Sequence, residues 1–104
     1  MSKNLIDLNE ENFNEIINSG KVLIDFWAPW CGPCKQLTPI LEKVSDEIGD
    51  SAIIAKVNVD ENSALAARYN VRSIPTLLLF IDGQLNETLI GLKTQSELVS
   101  LLTN

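Results

Sequence analysis

The sequence predicts an α/β domain built on a mixed sheet with helices on both faces. Three observations carry this. Residues 21–28 (KVLIDFWA) and 52–59 (AIIAKVNV) are strand-length runs, apolar on both faces, as expected of central strands covered on two sides. Segments with apolar residues at helical spacing separate such runs, which implies parallel pairing. A third apolar run, residues 76–81 (TLLLFI), leads into Asp82-Gly83, a hairpin signal, so the closing strands pair antiparallel.

Taken in order, residues 5–8 read as a short first strand. Asn9 can cap a helix that places Phe13, Ile16 and Ile17 on one face, with Gly20 as its stop. The strand over 21–28 follows. From Pro33 onward, Leu37, Ile40, Leu41, Val44 and Ile48 recur at helical spacing up to Gly49. Pro39 sits inside this helix and should kink it. After the strand over 52–59, residues 63–69 read as a short helix. The strand over 76–81 returns through 85–90 and stops at Gly91. TQSE, residues 94–97, has the form of a capping box, and Leu98, Val99, Leu101 and Leu102 give the last helix its apolar face. The order is β-α-β-α-β-α-β-β-α.

The length, 104 residues, suits a single domain spanning residues 1–104, and 45% hydrophobic residues suffice for a core. A net charge of −6 argues against nucleic acid and anionic membrane surfaces as partners. The N-terminus does not read as a secretory signal. The longest apolar run, residues 77–81, is far short of a membrane span. The expected location is therefore cytoplasmic, where thiols are kept reduced. The chain has no histidine, which removes Ser-His, Cys-His and His-metal chemistry. Its two cysteines cannot build a four-cysteine zinc site within one chain, although a site shared between two chains stays open.

Both cysteines lie in FWAPWCGPCK, residues 26–35. Cys31 falls just past a strand, where a helix begins, and Pro33 takes an early helical position. Free backbone N–H groups and the positive end of the helix dipole face Cys31. Both favour thiolate, the nucleophilic form. Cys34 sits one turn deeper. The pair reads as an exposed attacking sulfur and a resolving one, and Gly32 leaves room for another backbone. A static bridge across so short a loop would restrain little chain entropy, and inert core cysteines have no need of Gly-Pro between them at a helix start. Redox exchange is the reading these residues favour.

FWAPWCGPCK resembles the active-site segment of the thioredoxin family. KVNVDEN at 56–62, YNVRSIPTLLLF at 69–80 and the DG followed by IGL match further family segments, in order and spacing, across nearly the whole chain. The resemblance implies the thioredoxin fold, a central five-stranded mixed sheet flanked by four helices, and protein-disulfide reduction. Family members that act as oxidants often carry histidine between the cysteines, whereas Gly32-Pro33 favours reduction.

The resemblance also assigns roles. Asp25 matches an acid that accepts the proton of the resolving cysteine through water; on local grounds the lesser alternative is a strand-edge charge reaching solvent. Lys56 matches the lysine near that acid, or is a surface lysine with a buried stem. Pro75 matches a cis proline lying against the disulfide, although most X–Pro bonds are trans. The backbone at Ile74 could then pair with a client strand. Trp30, Ile74, Pro75 and Gly91 match the apolar client platform, with Gly32 and Pro33 beside the sulfur; Trp30 alone could as well be a core residue. Trp27 packs against the site. Ser73 stands where many relatives have glycine, and Leu92 is bulkier than the small residue often found after the platform glycine.

The expected cofactor state is none bound, with a redox-active Cys31–Cys34 disulfide. Expected partners are thioredoxin reductase, which draws electrons from NADPH through FAD, and disulfide-containing client proteins, with the chain itself a monomer. A binding module of the same fold that does not use its thiols is the rival class.

Overall fold

The computed structural model describes residues 5–104. Five strands, β1 (Leu5–Asp7), β2 (Lys21–Trp27), β3 (Ile53–Asn58), β4 (Thr76–Ile81) and β5 (Gln84–Ile90), form one sheet in the order β1-β3-β2-β4-β5. Helices α1 (Phe13–Ile17), α2 (Gly32–Ile48), α3 (Ser63–Arg68) and α4 (Gln95–Thr103) cover it.

The covering follows from strand periodicity. Side chains alternate across the sheet, so Val22, Ile24 and Phe26 of β2 face one way and Leu23 the other. The first three join Phe13, Ile17 and Leu65 of α1 and α3 in one buried cluster. Leu23 joins Leu37, Leu41 and Val44 of α2 and Leu98 and Leu102 of α4 in the second. Burial on both faces is why β2 and β4 read as continuous apolar runs.

The strand direction departs from the simple expectation. β1 and β2 both pair parallel with β3, but β4 pairs antiparallel with β2 as well as with β5. The reversal therefore precedes the hairpin. Six residues of α3 rise about 9 Å, against roughly 20 Å for a six-residue strand, too little to return the chain along the sheet. The chain re-enters from the end at which β3 left. This pairs Thr76, the first residue of β4, with Phe26 near the end of β2, so the segment before β4 lies beside the segment after β2.

The ends of the elements follow local chemistry, with two shifts. Asn9 caps a turn rather than the helix: its Oδ1 accepts from the backbone N–H of Glu11 and Asn12, and α1 begins only at Phe13. α1 also stops before Gly20, whose positive φ of 86° turns the chain into β2. α2 continues through Pro39 to Ile48. Asp82 and Gly83 both take positive φ, as the two-residue hairpin requires. Thr94 and Glu97 form the reciprocal capping box. Among the described residues no helix is long and apolar enough to cross a membrane.

Candidate active site

Cys31 is the N-cap of α2 and is joined to Cys34 by a disulfide. A strand that ends at Trp27 and a helix that starts at Gly32 leave a short tight segment. Its turn is closed by the Cys31 N–H donating to the Ala28 carbonyl at 3.1 Å. The backbone N–H of Cys34 points at Cys31 Sγ, 3.2 Å away, so a free helix-terminal amide serves the first sulfur. Pro33 occupies an early helical position and gives up no needed donor.

One expectation needs correcting. Cys31 is only 5% exposed, against 1% for Cys34. The order of depth is as expected, but Cys31 is not an open sulfur. The segment before β4 lies over it, with the Ile74 carbonyl oxygen 3.8 Å from Sγ. Ala28 and the partly buried Trp27, Val59 and Ile74 pack around the pair.

The Ile74–Pro75 bond is cis. Pro75 is buried and its carbonyl accepts from the Gly91 N–H at 2.9 Å, which extends the β4–β5 ladder by one rung. Gly91 has φ of 92°, a conformation that favours glycine. None of the described backbone groups pairs with the N–H or carbonyl of Ile74. Gly32, Pro33 and Trp30 are exposed around the sulfurs, Trp30 to 68%, which removes its reading as a core residue. Ile90 and Leu92 extend the apolar surface beside Gly91.

Asp25 of β2 is fully buried at 0% exposure, so it does not reach solvent at a strand edge. It shares the α2 face of β2 with Leu23. Neither carboxylate oxygen has a hydrogen-bond partner among the described residues. Burial pushes its pKa up from 3.8 to about 7, and the charge of Lys56 offsets only part of that. Lys56 is its register partner on β3 and half-buried, yet its ammonium does not bond the carboxylate. It donates to Thr38 Oγ1 at 2.9 Å and lies 4.4 Å from the centroid of the Trp27 ring.

Two residues of this constellation escape sequence reasoning. Asp60 accepts from the Trp30 indole N–H at 3.0 Å. β2 and β3 end side by side at Trp27 and Asn58, so the loops after them meet. Asn58 Oδ1 fixes the second loop by accepting from the Asp60 N–H. Thr38 is the other. Its only sequence signal is its position four residues after Cys34 on the same helix face.

The model of the family named Thioredoxin matches residues 4–104. The chain is 50% identical over 95 residues to a thioredoxin of Chlamydia caviae, covering 91% of this chain and 92% of the relative. It is 45% identical over 98 residues to a thioredoxin of Bacillus subtilis (strain 168), 94% of each. Among solved structures, a mutant thioredoxin from Halobacterium salinarum NRC-1 superposes with a TM-score of 0.88 at 38% identity, over 97% of this chain and 89% of that one.

Proposed function

The chain belongs to the thioredoxin family and works by thiol–disulfide exchange as a protein-disulfide oxidoreductase; we propose that Cys31 is its attacking sulfur and Cys34 its resolving one. The observation that carries this assignment is the Cys34 N–H aimed at Cys31 Sγ at the start of α2. In the reduced protein that amide and the helix dipole stabilise a thiolate on Cys31. The thiolate attacks one sulfur of a client disulfide, and the client's other sulfur leaves as thiolate. Asp25 takes the proton of Cys34. The Cys34 thiolate then attacks Cys31 Sγ, breaks the mixed disulfide and releases the second client thiolate. Two electrons have passed to the client, and the protein is left with the Cys31–Cys34 bond.

Trp30, Gly32, Pro33, Ile74, Pro75 and Gly91 form the surface on which the client disulfide is presented. The unpaired backbone of Ile74, next to Cys31 Sγ, supports docking of an extended client segment by strand addition. Lys56 adjusts the charge felt by Asp25. Residues 1–104 act as one domain, monomeric and cytoplasmic, and a thioredoxin reductase returns electrons to the disulfide from NADPH through its own FAD.

The test is turnover of a protein disulfide with NADPH and thioredoxin reductase. Sustained NADPH oxidation that stops when both cysteines are replaced by serine is the expected result. Full activity in the serine variant would assign the protein to thiol-independent binding instead.

A further inference from the structure

A buried carboxylate without a partner and a lysine on the neighbouring strand would ordinarily pair. Asp25 and Lys56 are in register on parallel strands, so their side chains leave the same face of the sheet. Yet both Asp25 oxygens are unbonded, and Lys56 Nζ donates to Thr38 Oγ1 at 2.9 Å. The Thr38 hydroxyl in turn donates to the Cys34 carbonyl oxygen at 3.3 Å. Its one proton and one of its lone pairs are both used. The ammonium is thereby tied to the helix that carries the sulfurs, with the Trp27 ring as its second contact.

We propose that Thr38 is a positioning residue for the resolving step, its hydroxyl holding Lys56 away from Asp25 so that Asp25 stays free to take the proton of Cys34. The inference rests on the acceptor role given to Asp25 above. Lys56 is the charge that acts on Asp25 from β3. From β4 the facing residue is Leu77, which is apolar. α2 contributes Cys34 and Thr38, neither of them charged in the oxidised protein. On its outer side Lys56 meets Asp7, its register partner on β1, and both line a cavity of about 290 Å³ together with Glu61.

A direct Lys56–Asp25 ion pair would hold the carboxylate ionised across the neutral range and make it a weak base. A proton acceptor works best when its acidity lies near the working pH. Asp25 meets that condition with a pKa of about 7 only while Lys56 is engaged elsewhere. Without the hydroxyl, the ammonium loses the acceptor that ties it to α2 and is free to turn toward Asp25, its register partner on β2.

The experiment is a carbonyl-carbon NMR titration of Asp25 in the oxidised protein, for wild type, Thr38→Val and Thr38→Ser. Thr38→Ala serves as a second hydroxyl-free variant should the valine not pack. The expected result is a midpoint about one pH unit lower without the hydroxyl, the least that one closer opposite charge imposes, and a wild-type midpoint with serine. Single-turnover resolution of a mixed disulfide near pH 7 should slow on the order of threefold in Thr38→Val. An unchanged Asp25 midpoint in the hydroxyl-free variants overturns the positioning role and leaves the acceptor reading standing. A lowered midpoint in Thr38→Val with wild-type resolution overturns the positioning role, and wild-type resolution in Asp25→Asn as well overturns the acceptor reading with it.

Discussion

The backbone N–H of Cys34 lies 3.2 Å from Sγ of Cys31, while Cys34 itself is 1% exposed. One sulfur therefore has a donor to stabilise negative charge, and the other supplies that donor from a deeper position. In the reduced protein, a limiting alkylating agent near neutral pH should label Cys31 on the order of ten times faster than Cys34. Peptide mapping reads the ratio. Preferential labelling of Cys34 would reverse the two roles.

Trp30 is held over the site by a hydrogen bond to Asp60, the one its side chain makes among the described residues. An exposed bond to a charged group is worth about 1 kcal/mol or somewhat more, so Asp60→Ala should free the indole without unfolding the protein. The expected outcome is a rise in KM for a protein disulfide of roughly three- to tenfold, with kcat little changed. A variant with wild-type KM would show that the indole needs no tether to serve as a client surface.

The strands and turns that read most clearly are those whose cause is local. β4 follows from an unbroken apolar run, the hairpin from Asp82-Gly83, and the start of α4 from the spacing of Thr94 and Glu97. The sulfur pair is legible for the same reason, since cap, proline and cysteines are consecutive. The early reversal at β4 is less legible, because it depends on how far a short α3 can carry the chain. Asp60 and Thr38 are not legible at all. Each acts across a gap between elements that only the assembled sheet brings together. The depth of Cys31 escapes the sequence because its cover comes from residue 74, far along the chain.

The capping box at Thr94 should contribute measurably to stability. Thr94 Oγ1 accepts from the Glu97 N–H at 3.1 Å, and Glu97 Oε1 accepts from the Thr94 N–H at 2.9 Å. Thr94→Ala should cost about 1 kcal/mol in denaturant unfolding near neutral pH, and Thr94→Ser far less. The backbone hydrogen bond from Thr94, and then its side chain, hold the Glu97 carboxyl below the usual range. A lowered folded-state pKa stabilises above the unfolded pKa and is lost as pH falls through the folded one. The cost of Thr94→Ala should therefore shrink in acid, and a cost that stays constant would mean that the two hydrogen bonds are not coupled.

Asp25 should cost stability while it serves turnover. Its folded pKa of about 7 stands above the ordinary 3.8 because burial disfavours the charged form. With the folded value raised, the group's favourable contribution is complete below the unfolded pKa and is lost as pH rises through the folded one. The window is therefore about pH 4 to 7. Across it the oxidised wild-type protein should lose on the order of 4 kcal/mol relative to a chain without this carboxyl, at about 1.4 kcal/mol for each pH unit between the two values. Asp25→Ala removes the titration and leaves a small vacancy beside Leu23 and α2, which costs about 1 kcal/mol or more. The variant should accordingly be less stable than wild type near pH 4, cross it between pH 5 and 7, and be more stable at pH 8, as followed by denaturant unfolding of the oxidised forms. The same substitution should slow resolution of a mixed disulfide by about 10²-fold, the lower range for loss of a positioned base, while initial attack by Cys31 changes less. Single-turnover kinetics separate the two steps. A variant less stable than wild type at every pH, yet resolving at the wild-type rate, would make Asp25 a structural residue, and the proton of Cys34 would then have to leave by another route.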